Sequence, residues 1–152
     1  MKIVTWNVNS LRARMPRVRE FLDRASPDVV CLQETKVVDE LFPAEPLEDA
    51  GYRVSFHGQK TYNGVAFLSR EPVEEVVCGI PGTEHHEARV IAGIAGDVML
   101  LNLYVVNGKE VGCDKYDYKL AWLKDVADYV KDAFPMTEKI VVTGDVNVTF
   151  DD

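Results

Sequence analysis

Apolar and polar residues alternate along the chain in short blocks separated by longer stretches of three-and-four spacing, and these two periods predict strands and helices in turn. From Lys2 to Asn9, the residues Ile3, Val4, Trp6 and Val8 supply the β-favouring positions of a first strand, and Asn7 and Asn9 share a face at its exit. Met15 to Ala25 reads as a helix, because Val18, Phe21, Leu22 and Ala25 form one apolar stripe, and Ser26-Pro27 stops it. The run Val29-Val30-Cys31-Leu32 then predicts a strand buried on both faces that ends abruptly in Gln33-Glu34-Thr35-Lys36. Strand, helix and strand make a βαβ unit.

Val37 to Ala50 is weaker, interrupted by Pro43 and Pro46, and predicts a short irregular helix before Gly51. Strands follow at Tyr52 to His57 and Gly64 to Arg70, joined through Gln59-Lys60-Thr61-Tyr62-Asn63 into an Asn-Gly turn signal. Further strands are expected at Val73 to Cys78, Arg89 to Ile94 and Val98 to Val105, where Asn107-Gly108 closes the last. Tyr116 to Phe134 carries the strongest helical pattern, through Leu120, Leu123, Ala127, Val130 and Phe134, with Pro135 as its stop. Lys139 to Val148 is a second buried strand ending in polar residues. A strand of this kind should be followed by an element that covers it, yet the sequence runs only to Phe150-Asp151-Asp152, so a further C-terminal portion is expected.

Composition narrows the function. At 152 residues and 47% hydrophobic content the chain suffices for a domain with a core. Its 17 Lys and Arg against 25 Asp and Glu give a formal charge of -8, which argues against coating nucleic acid through bulk positive charge; a phosphate-bearing ligand must be held locally. No apolar stretch approaches the roughly 20 residues of a membrane span, and the N-terminus enters a strand directly, so the reading is a cytoplasmic protein without a membrane partner. Cys31, Cys78 and Cys113 form no CxxC pair and Cys31 reads as core; His57, His85 and His86 make no zinc spacing, and the adjacent pair reads as a solvated loop.

Two aliphatic strands each expose acidic and amide groups at one end, Glu34 on one and Asp145 with Asn147 on the other. Ligands of open α/β sheets gather at such rims. Oxygen donors without sulfur or imidazole select Mg²⁺ or Mn²⁺, which commonly use one or two carboxylates, waters and a substrate phosphate. Asp145 and Asn147, two apart on a strand, would share a face, so that one can act on a water while the other donates to a phosphate oxygen. Each residue also has a structural reading: Glu34 as the point where a strand reaches water, Asn7 as a capped strand end, Tyr104 as a half-buried aromatic with a wet hydroxyl, and Asn147 as a satisfied turn.

Seven segments in order, Thr5-Trp6-Asn7-Val8-Asn9-Ser10-Leu11-Arg12-Ala13, Leu32-Gln33-Glu34-Thr35-Lys36, Tyr62-Asn63-Gly64-Val65-Ala66, Ala88-Arg89-Val90-Ile91, Asn102 to Gly108, Lys115 to Lys119 and Gly144-Asp145-Val146-Asn147, resemble the exonuclease III family. These are Mg²⁺-dependent abasic-site endonucleases of the endonuclease/exonuclease/phosphatase superfamily. The resemblance implies an α/β four-layer sandwich, two mixed sheets face to face with helices outside. Residues 1–152 would then be the N-terminal portion of a single domain, holding the first sheet and part of the second. It implies hydrolysis of the phosphodiester 5′ to an abasic site in double-stranded DNA, with 3′-to-5′ exonuclease action, in base excision repair. It makes Glu34 the metal-binding carboxylate with Asn7 beside it in the metal and water network. Asp145 would act on the attacking water, Asn147 would hold the scissile phosphate and Tyr104 would meet the phosphate or leaving oxygen. It places Arg12, Lys36, Lys60, Tyr62 and Arg89 on a DNA-facing rim; Lys115 and Lys119 are weaker candidates that a solvated helix face explains equally.

Ser10, Val106 and Val146 depart from the family's usual glycine, proline and phenylalanine or methionine. Because the family draws part of its pocket from residues beyond this length, the 152-residue piece alone is expected to be inactive. It is also expected to expose half of its sandwich interface unless a separate chain or a symmetry mate covers it. Two other readings stay open: a superfamily phosphodiesterase for lipid, inositol or RNA substrates, and a non-catalytic half-domain that binds DNA or a partner.

Overall fold

The computed structural model describes residues 1–133 and 139–148. In chain order its elements are β1 (Ile3–Asn7), α1 (Leu11–Ala25), β2 (Val29–Gln33), α2 (Glu45–Glu48), β3 (Arg53–His57), β4 (Val65–Ser69), β5 (Val73–Cys78), β6 (Val90–Ala95), β7 (Val98–Tyr104), α3 (Asp114–Ala133) and β8 (Lys139–Asp145). A 3₁₀ turn at Asp39–Leu41 precedes α2, so the irregular helix expected over 37–50 is two short pieces.

Alternation along the strands fixes the layers. Val29 and Cys31 of β2 point with Val65 and Phe67 of β4 toward Ile91, Ala95 and Leu100 of a second sheet, forming the inter-sheet core. Their neighbours Val30, Leu32, Ala66 and Leu68 point the other way, onto Val18 and Leu22 of α1. In the second sheet Ala92, Leu101 and Leu103 face Trp122 and Val126 of α3. The order is therefore α1, sheet, sheet, α3, which is the four-layer α/β sandwich expected, and each fully buried Leu, Val or Phe contributes about 1.5–3 kcal/mol. The seven residues of the inter-sheet core named above are buried, because the two sheets stack on each other, while on the β1 and β8 side of that layer Ile3 and Val141 are only partly buried and Thr5 is exposed.

The sheets run β1-β2-β4-β3 and β5-β6-β7-β8. β1/β2 and β7/β8 are parallel and the other pairs antiparallel. Each parallel pair is joined through a helix, α1 or α3, as a βαβ unit requires. β1 of one sheet lies against β8 of the other. The C-terminal ends of β1, β2, β7 and β8 thus open on one rim.

Three local expectations are corrected. α1 begins at Leu11 and not at Met15, with Pro16 inside it. Its first donors are taken by tertiary partners, since the Ser10 and Leu11 N–H groups donate to the carbonyls of Glu34 and Thr35 at 2.8 and 3.1 Å. α3 buries Lys119, Trp122 and Val126, with Leu123 and Val130 of the expected stripe packed beside them, whereas Leu120 is 49% exposed. β8 ends at Asp145, and residues 146–148 leave the sheet. The helix stop expected at Phe134-Pro135 and the chain end at Phe150–Asp152 lie outside the described residues.

Gly144 sits opposite Leu103 in the parallel β7/β8 ladder at φ +142°, and a Cβ there would lie 1.9 Å from the Leu103 carbonyl oxygen. Neither backbone can retreat without losing its ladder bonds. Gly144→Ala is expected to destabilise the fold by about 3 kcal/mol, read as a shift of the urea unfolding midpoint.

Candidate active site

Four strand ends deliver four polar side chains to the rim: Asn7 from β1, Glu34 just past β2, Tyr104 from β7 and Asp145 from β8. Asn7 is the hub. Its Nδ2 donates to Glu34 Oε1 and to Asp145 Oδ2, both at 2.8 Å, while its Oδ1 accepts the Asn9 N–H at 3.0 Å. That last bond turns the amide nitrogen toward the two carboxylates. The Tyr104 hydroxyl donates to the same Glu34 Oε1 at 2.9 Å, from the opposite sheet.

Glu34 is held by its backbone as well. Its φ of +55° ends β2 in the left-handed region, and Asn9, Ser10, Lys36 and Asn147 around it also have positive φ. The following peptides are pinned on both sides, by the α1 donors above and by Thr35 N–H and Lys36 N–H donating to the Gly64 and Asn63 carbonyls. Gly64 is required there, since a Cβ would lie 2.1 Å from Thr35 Oγ1.

Burial pulls the Glu34 carboxyl up, but hydrogen bonds from Asn7, Lys36 and Tyr104 and the charge of Lys36 outweigh it, leaving it below the usual glutamate range. Burial, then the hydrogen bond to Glu34 and its charge, push the Tyr104 phenol up to about 12, so it is a donor at neutral pH.

Asn147 does not share the Asp145 face as a strand residue would. It lies past the end of β8, where its N–H donates to Asp145 Oδ1 at 3.1 Å and its Nδ2 donates to the Val105 carbonyl at 2.8 Å. Lys119 donates to the Asn147 carbonyl at 2.7 Å and is buried, which corrects the solvated-face reading of that lysine; Lys115 is exposed. His85, expected in a solvated loop, is bound instead: Nε2 is 2.9 Å from Asp125 and Nδ1 3.2 Å from the Tyr118 hydroxyl.

Of the rim cations, Arg12, Lys36 and Lys60 line one open cleft with Ser10 and Thr61, and Tyr62 is 67% exposed on the adjoining loop. Lys36 Nζ also reaches Glu34 Oε2 at 2.8 Å and Asn9 Oδ1 at 2.6 Å, so it closes the cleft onto the carboxylate. Arg89 lies behind Tyr104: its guanidinium carbon is 4.9 Å from the ring centroid, it is paired with Glu87 at 2.8 Å, and its side chain is 12% exposed. It meets the site through that ring. Lys119 behind Asn147 and Asn9 behind Lys36 are missed by sequence reasoning, because neither the lysine's bond to a distant backbone carbonyl nor the asparagine's side-chain bond to a residue 27 positions away leaves a local signal.

Glu34 and Asp145 converge on one amide, and their carboxylate oxygens, with neither sulfur nor imidazole beside them, are ligands of the kind a hard divalent cation takes. Among the described residues no group of three or more His, Cys, Asp or Glu could cage a metal by itself.

The family model described as the Endonuclease/Exonuclease/phosphatase family matches residues 4–152. The chain belongs to that family. Exodeoxyribonuclease III of Haemophilus influenzae is 32% identical over 98% of this chain and 58% of its own length. Among solved structures, an AP endonuclease from Archaeoglobus fulgidus superposes with a TM-score of 0.94 at 38% identity, over 97% of this chain and 58% of that one. The 3′ phosphatase NExo from Neisseria, solved with a product DNA hairpin, gives 0.93 at 40% identity over the same shares. The chain therefore spans a little under three fifths of the length of these family members. Among the described residues no helix is long and apolar enough to cross a membrane.

Proposed function

We propose that the whole protein hydrolyses phosphodiesters in DNA with the help of Mg²⁺, cutting 5′ to abasic sites and trimming 3′ ends, as a cytoplasmic repair nuclease. The observation that carries this reading is the Asn7 amide joining Glu34 to Asp145 across two sheets, with Tyr104 donating to Glu34 beside it. Names of relatives support the substrate class: they include an exodeoxyribonuclease, an AP endonuclease and a 3′ phosphatase bound to DNA.

Glu34 is the carboxylate that would hold the cation, with Asn7 in the network that orients it; bound there, the ion would offset charge developing on the phosphate and leaving oxygen. Asp145, with both oxygens oriented by Asn7 and Asn147, positions and deprotonates the attacking water. Asn147 holds the scissile phosphate, and the Tyr104 hydroxyl, protonated at neutral pH, turns its one proton from Glu34 to the phosphate or leaving oxygen when substrate binds. Arg12, Lys36, Lys60 and Tyr62 receive the duplex along the open cleft, which lets an acidic protein bind a polyanion by a few placed contacts. Arg89 serves the same rim by bracing Tyr104.

The test is cleavage of a duplex with one tetrahydrofuran abasic site by the whole protein, with Mg²⁺ and with EDTA, beside inositol phosphate, phospholipid and RNA substrates. Metal-dependent nicking 5′ to the lesion, exceeding turnover of the other substrates, is expected. Preference for any of those others would transfer the site to a different phosphodiesterase class. Residues 1–152 alone are expected to be inactive.

A further inference from the structure

We infer that Gln33 and Asn102 form a cross-sheet clamp that sets the spacing of the rim, and that both are positioning residues for the metal carboxylate. The inference rests on the reading of Glu34 and Asp145 as the working carboxylates. Both amides are buried, at 1% and 0% exposure, in the otherwise apolar layer between the sheets. Gln33 Nε2 donates to Asn102 Oδ1 at 2.7 Å, and lies 3.0 Å from both Thr5 Oγ1 and the Cys31 carbonyl. Asn102 Nδ2 answers from the other sheet, donating to the carbonyls of Leu32 at 2.9 Å and Ala66 at 3.2 Å. One amide pair thus ties β1, β2 and β4 of the first sheet to β7 of the second.

Its place in the chain gives it a role beyond cohesion. Gln33 immediately precedes Glu34, and Asn102 lies two residues before Tyr104 on the same face of β7. The clamp is therefore one layer beneath the two cross-sheet bonds of the rim, Tyr104 to Glu34 and Asn7 to Asp145. An apolar contact is non-directional and tolerates sliding of one sheet over the other, whereas the amide bonds fix both distance and register. A slide of about 1 Å would be enough to degrade such a constellation.

The test uses the double variant Gln33→Leu/Asn102→Leu, in which both partners are removed together so that neither is left as a buried unpaired amide. The Gln33→Leu single variant is the comparison. Mn²⁺ binding is measured by calorimetry, and the Asn7 carboxamide resonances by ¹⁵N NMR, with thermal melting as the control. The double variant is expected to fold, to bind Mn²⁺ about tenfold more weakly, and to shift the Asn7 resonances toward those of a solvated amide. A folded double variant with unmoved Asn7 resonances overturns the clamp. If the parent binds no metal, the reading of the site fails, and the Asn7 resonances alone still decide the clamp. If the double variant does not fold, Gln33→Glu, which keeps an acceptor but no donor for Asn102 Oδ1, supplies the same two readouts.

Discussion

Asp145→Asn in the whole protein is expected to leave the fold intact and to reduce abasic-site cleavage by about 10³-fold or more. The loss has two sources. An amide cannot take a proton from water, and removal of a positioned base typically costs about 10²–10⁴ in rate. The second source is local. Both Asp145 oxygens accept hydrogen bonds, from Asn7 Nδ2 at 2.8 Å and from the Asn147 N–H at 3.1 Å. The amide introduced must turn a donor toward one of these donors, which displaces either the Glu34 bridge or the turn at Asn147. Cleavage of the tetrahydrofuran duplex under single-turnover conditions separates this from slow product release. A loss smaller than tenfold would remove Asp145 from the chemistry.

The second large effect is expected from Glu34→Gln. Three donors converge on this carboxylate: Asn7 Nδ2 and the Tyr104 hydroxyl on Oε1, and Lys36 Nζ on Oε2. An amide of the same shape can accept on one atom only, so at least one donor loses its partner and the negative charge is gone. Mn²⁺ affinity should fall by about a hundredfold, the upper end of what changes around metal ligands cost. Mg²⁺-dependent cleavage should fall with it. The phenol of Tyr104 should also come down from about 12, since the hydrogen bond to Glu34 and its charge are two of the causes that raise it. Tyrosine ¹³Cζ NMR in an alkaline titration reads that change. Unaltered metal affinity with a shifted Tyr104 would assign Glu34 to orientation of the phenol and not to the ion.

Much of this arrangement was legible from residue pattern, and the parts that were not share a cause. β2 was readable because a strand buried on both faces must be apolar throughout, and its polar exit then marks the rim. The parallel β1/β2 unit followed from a helical stripe between two apolar runs, whereas the equivalent pairing of β7 and β8 around α3 comes from the structure alone. The start of α1 was missed because its first donors are satisfied by carbonyls of residues 34 and 35, a tertiary fact with no local trace. Lys119 and His85 were misplaced for the same reason. A charged or titratable side chain on a helix or loop reads as solvated until a partner distant in sequence is known. Asn147 was assigned to a strand face, yet its positive φ takes it out of β8 and lets its N–H meet Asp145. Asn102 sat in plain view as one amide within Leu100-Leu101-Asn102-Leu103, an interruption that alternation alone treats as noise.

The hydrogen bond from Asn7 to Asp145 joins residues 138 apart in the chain. Closing so long a loop is an entropic cost that local contacts cannot repay, so pairings of this kind form late in folding. During synthesis β1, α1 and β2 can assemble while β8 is still unmade, and Glu34 then stands at the end of its strand without its counterpart. A nascent chain in this state has no Asp145 opposite Glu34. Under the proposed function, Glu34 and Asp145 would work together only once β8 has joined β7.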